Sequence, residues 1–179
     1  KDEQFAPDFL KISPNNRIPA MVDHETGVAL MESGAIMLYL AAKYDRFQVA
    51  GDEYWHMMEW LMWQMGGLGP MLGQLGFFYK FAGADIEDPR PKERYINETK
   101  RLLGVLEGQM EGRDWIADDF SIADIALVPW IKALDFYGAK EVVGWDDHKN
   151  LIAWVGNISR FYYFMVFCFS LHGNRLSRT

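Results

Sequence analysis

Strand signal in this chain is confined to one short stretch, and that limits its fold more than any other feature. Ile18 to Val22 reads as a strand, Asp23-His24-Glu25-Thr26-Gly27 supplies turn residues, and Val28 to Met31 reads as the hairpin partner. An isolated hairpin is marginal in water, so the sheet needs other strands, which the chain does not obviously contain. From Gly51 onward strand signals fade and long helical patterns take over. The expectation is a mixed α/β segment over 1–46 and an all-helical one over 51–160, divided where the composition shifts near 46–52.

The helices are read from apolar spacing. Phe5, Phe9, Leu10 and Ile12 suggest a short helix that ends before Pro14, because the residue preceding proline is driven out of the helical region. After Ser33, apolar Ile36, Leu38, Tyr39, Leu40 and Ala42 support a helix reaching about Tyr44. Glu53 to Tyr79 is one apolar stretch interrupted around Gly66 to Pro70, and Pro91 to Gly112 is amphipathic and closed by glycine. Ser121 to Tyr137 and Asp146 to Phe161 complete the set. Ser121 with Asp124 three residues on is a close variant of the capping box, flanked by Phe120 and Ile125 in the two staple positions; its reading is structural.

Several function classes drop out. The net charge of −7, with Lys and Arg scattered among the acids, provides no basic stripe, so nucleic acid is not an expected partner. A single cysteine, Cys168, allows no internal disulfide and no CxxC pair, which fits a reducing compartment and a cytoplasmic location. The histidines, His24, His56, His148 and His172, lie far apart without metal-ligand spacing, so no metal is expected. Trp60 to Tyr79 carries no charge and is long enough for a membrane span of ~20 residues. Its glycines, proline and glutamines lower its hydrophobicity and no basic cluster flanks it, so a buried helix kinked at Gly69-Pro70 explains it better. Those glycines are not a phosphate loop, since no Gly-Lys-Ser/Thr follows them.

Two short stretches carry candidate chemistry. In Ser13-Pro14-Asn15-Asn16-Arg17-Ile18-Pro19-Ala20, a proline entering a strand cannot donate to the ladder. Either it is an ordinary edge-strand proline, or a cis Ile18–Pro19 bond leaves the Ile18 N–H and C=O free to pair with a peptide-like ligand as an added strand. In Met31-Glu32-Ser33-Gly34-Ala35-Ile36, Ser33 sits where a strand gives way to a helix. It either caps that helix or, with the free N–H groups of the first turn, forms a pocket for a carboxylate. Glu32 beside it could accept bonds from an ammonium, so the pair suits an α-amino acid head group.

Asn-Arg-Ile-Pro-Ala followed by Glu-Ser-Gly-Ala-Ile resembles the glutathione-binding half of the thioredoxin-like domain of glutathione transferases. Ser121-Ile-Ala-Asp-Ile-Ala resembles the capping box of that family's all-helical domain. Trp63-Gln-Met-Gly-Gly-Leu-Gly-Pro-Met-Leu-Gly-Gln74 is narrower and resembles the Nu class, bacterial and fungal enzymes known as disulfide-bond reductases. The likeness runs from about residue 1 to 160. It implies a partial thioredoxin-like domain followed by an all-helical one. The implied function is glutathione thiol chemistry, reducing disulfides or conjugating small electrophiles, in a homodimer with glutathione as co-substrate. Ile18, with Pro19 cis, would bind the cysteinyl backbone, and Glu32 and Ser33 the γ-glutamyl head. Gln4 matches a glutamine near the glycyl end. Arg101 matches an arginine that reaches the cleft from the helical domain, or is a solvated surface charge.

Two departures from the family pattern shape the expectation. Lys1 falls where the family's second strand has just ended, so the first βαβ unit, with the group that polarises the glutathione thiol, is missing. The catalytic residue is therefore unknown, and the chain is expected to bind glutathione poorly and catalyse worse. Phe161 to Leu171 is an uncharged aromatic run in place of a polar ending, too short to span a bilayer and read over 161–179 first as an altered terminus and second as a genuine C-terminal contact. The alternative to an enzyme is a non-catalytic binding or dimerisation module on the same fold. Trp60, Trp63, Phe77, Phe78 and Tyr79 could line an apolar pocket, although at helical spacing such residues are more often core.

Overall fold

Proline placement sets the first regular element. In the computed structural model, which describes residues 2–160, Ala6 ahead of Pro7 is extended at φ −64°, ψ 141° and Pro7 opens α1 (Pro7–Leu10). The helix expected from Phe5 is thus shortened to one turn, with Glu3–Phe5 a separate 3-10 turn before it. The aromatic run from 161 onward, including Cys168 and His172, lies outside the described residues.

The hairpin forms with β1 (Ala20–Val22) antiparallel to β2 (Ala29–Met31), in the register Ala20 to Met31, Met21 to Leu30 and Val22 to Ala29. Strand β1 begins two residues after Ile18 because Pro19 has no N–H for a ladder. Among the described residues the sheet has these two strands. Its turn is closed by Asp23 N–H donating to Val28 C=O at 2.8 Å, with Gly27 in the left-handed region at φ 75°.

Helix α2 (Ser33–Tyr44) follows directly and clamps that turn. Tyr39 hydroxyl and Lys43 ammonium both donate to Asp23 Oδ2 at 2.5 Å, and Lys43 also reaches Glu25 at 2.6 Å. The Lys43 ammonium, then the Tyr39 hydroxyl, holds the Asp23 carboxyl well below the usual carboxylate range. Asp23 and Glu25 in turn hold Lys43 above the usual lysine range. A carboxyl lowered from 3.8 contributes stability that is full above that pH and is lost as the pH falls further. An ammonium raised from 10.5 contributes stability that is full below that pH and is lost as the pH rises further. Replacing Lys43 by Met is therefore expected to flatten both limbs of the stability profile, read as urea midpoints across pH. An unchanged acid limb would show that the cluster is solvated enough to contribute nothing.

Beyond the hairpin the chain is helical: α3 (Glu53–Trp63), α4 (Gly69–Tyr79), α5 (Pro89–Gln109), α6 (Ile122–Tyr137) and α7 over 149–160. Between α3 and α4 the helix does not break but widens into a π turn at Gln64–Leu68, where Gly69 N–H donates to Gln64 C=O. Pro70 has no N–H for the carbonyl four residues back, and its ring would press on that carbonyl. A wider turn just ahead of it relieves both problems. Helix α5 starts two residues earlier than its apolar spacing suggests. Asp88 accepts the Arg90 N–H at 3.0 Å as N-cap, and Pro89 occupies the first helical position. Helix α7 starts later than expected, after a 3-10 turn at Trp145–Asp147, because Glu107 of α5 accepts the N–H groups of Asn150 and Leu151 at 3.0 Å each.

The described residues form two compact units. The first, Lys1–Pro70 with Ile116–Ile131, buries Met57, Leu61, Leu68, Ile116, Ile122, Leu127 and Ile131. It also carries an apolar cleft of about 650 Å³ between the C-terminal half of α2, Phe47 and the start of α6. The second, Met71–Trp115 with 132–160, buries Leu72, Leu75, Leu102, Leu103, Leu106, Leu134, Leu151 and Trp154. Among the described residues no helix is long and apolar enough to cross a membrane.

Candidate functional site

A cleft of about 250 Å³ opens in the first unit, where the loop before β1 meets the junction of β2 and α2. Its lining comprises Ser13, Asn15, Arg17, Ile18, Pro19, Met31, Glu32 and Ser33. Ser13 builds the loop side: fully buried, its hydroxyl donates to Arg17 C=O at 2.8 Å, while Asn16 N–H donates to Ser13 C=O at 2.9 Å. This closed turn sets the Arg17 guanidinium at the rim, donating to Asn16 Oδ1 at 2.8 Å.

Ile18 follows the turn and is 80% exposed, unusual for so large an apolar side chain. The Ile18–Pro19 peptide is cis. Ile18 lies outside the ladder, and among the described residues its main-chain N–H and C=O have no hydrogen-bond partner. An unpaired donor and acceptor on one exposed residue at a sheet edge is the arrangement that accepts an added extended segment.

Across the cleft, the chain turns from strand to helix in a single residue. Glu32 makes that turn at φ 72°, ψ 122°, a conformation that crowds its Cβ and persists only where the surroundings enforce it. Ser33 is the first residue of α2, yet among the described residues no side chain caps this helix. The Ser33 hydroxyl lies 3.7 Å from Met65 Sδ, not over the first-turn N–H groups. Those N–H groups, with the positive end of the helix dipole, are therefore open to an anion. The capping alternative for Ser33 is not what the structure adopts. The cleft thus presents, within one small volume, an acidic side chain, an uncapped helix N-terminus with a hydroxyl, a free peptide group and a guanidinium.

Of the residues singled out from sequence, Ile18, Pro19, Glu32 and Ser33 line this cleft. Gln4 lies half-buried in the first 3-10 turn and is not part of the lining. Arg101 belongs to the second unit, exposed on α5, where its guanidinium donates to both Glu98 oxygens at 2.9 and 2.7 Å. The motif reading passed over Ser13, Asn15, Arg17 and Met31 as cleft residues. Asn15 and Arg17 flank the left-handed Asn16 (φ 49°), and that turn signal was the available clue. Among the aromatic candidates Trp60 lies edge-on to Trp63 at 5.1 Å and Phe77 edge-on to Phe78 at 4.9 Å, and Phe78 also stacks on Tyr95 at 5.3 Å. No group of three metal-ligating side chains occurs among the described residues.

The likeness to known proteins falls on two segments, the first of which holds the whole cleft lining. The glutathione S-transferase N-terminal domain family matches residues 1–42, and the C-terminal domain family matches residues 89–157. The chain belongs to the glutathione transferase family. It has that family's fold, a thioredoxin-like segment with a small sheet followed by a helical domain. A glutathione transferase of Pseudomonas putida, crystallised with one glutathione disulfide per subunit, is 46% identical. The match covers 87% of this chain and 70% of that one, with a TM-score of 0.84. A family member of Pseudomonas fluorescens with two glutathione bound is 48% identical at a TM-score of 0.83, covering 86% of this chain and 71% of that one. The disulfide-bond oxidoreductase YfcG of Escherichia coli is 48% identical over 140 residues, 74% of this chain and 64% of that protein. The chain spans about three fifths of the length of the curated relatives it matches.

Proposed function

We propose that this cleft binds glutathione, and that the protein uses the bound thiol to reduce disulfides or to conjugate small electrophiles. The observation that carries the reading is the meeting of Ile18, Glu32 and Ser33 on one 250 Å³ cleft. Glutathione is a γ-glutamyl peptide with an amino acid head, and each part has a counterpart. Its head carboxylate takes the first-turn N–H groups of α2 and the Ser33 hydroxyl, and its ammonium takes Glu32. The cysteinyl peptide pairs with the Ile18 N–H and C=O as an added strand. Arg17 at the rim supplies a positive charge for a ligand whose carboxylates outnumber its ammonium. The roles of Gln4 near the glycyl end and of Arg101 rest on family resemblance.

In disulfide reduction the glutathione thiolate attacks one sulfur of the substrate and the other leaves as a thiolate. A second glutathione thiolate then attacks the glutathione sulfur of the mixed disulfide, releasing the substrate's other sulfur as a thiolate and forming glutathione disulfide. The electrons come from glutathione, because the chain has one cysteine and no CxxC pair. Similarity to YfcG supports this reading, as do the glutathione-bound Pseudomonas relatives. A homodimer in the cytoplasm is the setting we propose for it, with residues 1–46 as the glutathione-binding segment and 51–160 as the helical domain.

Calorimetric titration of glutathione and glutathione disulfide into the chain tests the assignment. Weak but saturable binding is expected, weakened about a further tenfold by Ser33→Ala, which removes one hydrogen bond to a charged group. A folded chain that shows no saturable binding of either ligand would overturn the proposal.

A further inference from the structure

The widened turn at Gln64–Leu68 has a consequence at the cleft. Such turns inside α-helices are rare and occur frequently at functional sites. Its second residue, Met65, lies along the first turn of α2. A Cβ on the buried Gly34 would come within 3.2 Å of Met65 Cε and 3.4 Å of Cγ and Sδ, so glycine is what lets the thioether approach this closely. The approach places Met65 Sδ 3.7 Å from the Ser33 hydroxyl. Ser33 is the cleft residue whose hydroxyl leaves its own helix uncapped.

A thioether sulfur is a weak acceptor, and a hydroxyl turns readily about its C–O bond. A carboxylate is a far stronger partner for the same hydrogen. We infer that Met65 is a positioning residue for the carboxylate pocket. It holds the Ser33 hydroxyl on a weak acceptor while the cleft is empty and gives it up when a ligand carboxylate arrives. This role rests on the reading of the cleft as the γ-glutamyl site. A stronger acceptor at 65 would keep the hydroxyl and compete with the ligand, whereas an apolar side chain of equal size would neither hold nor compete.

The test is a coupling measurement with glutathione as the probe. Met65→Gln and Met65→Leu are titrated by calorimetry in the unsubstituted chain and in a Ser33→Ala background, each variant first shown to be folded by circular dichroism. Met65→Gln is expected to weaken binding roughly fivefold, about one ordinary hydrogen bond, and Met65→Leu to stay within about twofold. In the Ser33→Ala background Met65→Gln should make no further difference. Equal losses for Gln and Leu, or a Gln effect that persists without the hydroxyl, would reduce Met65 to packing while leaving the glutathione reading intact. Failure of the unsubstituted chain to bind glutathione would overturn both.

Discussion

Replacing Asp124 by Ala is expected to destabilise the protein by roughly 3 kcal/mol, more than any other single polar substitution discussed for this chain. Asp124 is fully buried on the first turn of α6. Its Oδ2 accepts the Ser121 N–H at 3.0 Å and the Ser121 hydroxyl at 3.2 Å, while Oδ1 accepts the Ile116 N–H at 3.1 Å. The Ser121 hydroxyl in turn accepts the Ala123 N–H at 3.3 Å. Truncation to Ala removes the charged acceptor of these three interior hydrogen bonds, and losing a hydrogen bond to a charged group costs about 1.5–3 kcal/mol. Ser121→Ala removes only the cap and should cost about 1 kcal/mol. Asn at 124 keeps one acceptor but turns an N–H₂ toward a donor, so it should fall between the two. Urea denaturation of the three variants reads the order directly. A loss below about 1 kcal/mol for Asp124→Ala would mean that water replaces the carboxylate and that the box is a local cap without the tie to Ile116.

That tie marks the limit of what the sequence discloses. Ser121 and Asp124 sit three residues apart, so their mutual bond is legible as a local pattern. Ile116 lies eight residues before Asp124 in a segment without periodicity, and nothing local announces its N–H. The same distinction runs through the fold. The hairpin and α2 are carried by a proline, a turn cluster and a run of apolar residues, all short-range signals, and they form where those signals place them. The start of α7 is decided by Glu107, 43 residues upstream of Asn150, so an estimate from Asp146 runs early. The π turn leaves the apolar stretch from Glu53 to Tyr79 intact, and hydrophobic spacing cannot register one residue inserted among glycines.

At the cleft, Ile18, Glu32 and Ser33 were found because the chemistry of a ligand suggests them. Asn15 and Arg17 lay in the same motif yet were passed over, since their part depends on the loop that Ser13 closes. Met65 was invisible, being 32 residues from Ser33 and reached only through tertiary packing.

Glu32 offers the sharpest test of the site, because its backbone and its side chain make opposite demands. A residue held at positive φ with its Cβ crowded costs the fold about 1–3 kcal/mol. Glycine has no Cβ to crowd, so Glu32→Gly should remove that strain, offset by the larger freedom glycine has in the unfolded chain. The expected net gain is about 1 kcal/mol in urea unfolding. Alanine keeps the Cβ and the strain, so Glu32→Ala should leave stability near its starting point. Both substitutions delete the carboxylate proposed to face the ligand ammonium, and both should weaken glutathione binding by about tenfold or more. Stability and affinity therefore separate: one variant is more stable than the parent and the other is not, yet they bind equally poorly. Such a trade is what a strained residue kept for its function predicts. If Glu32→Gly proved less stable than Glu32→Ala, the strain would be absent and Glu32 would be an ordinary junction residue. If both variants bound glutathione as tightly as the parent, the ammonium would have another partner and the head-group assignment would fall.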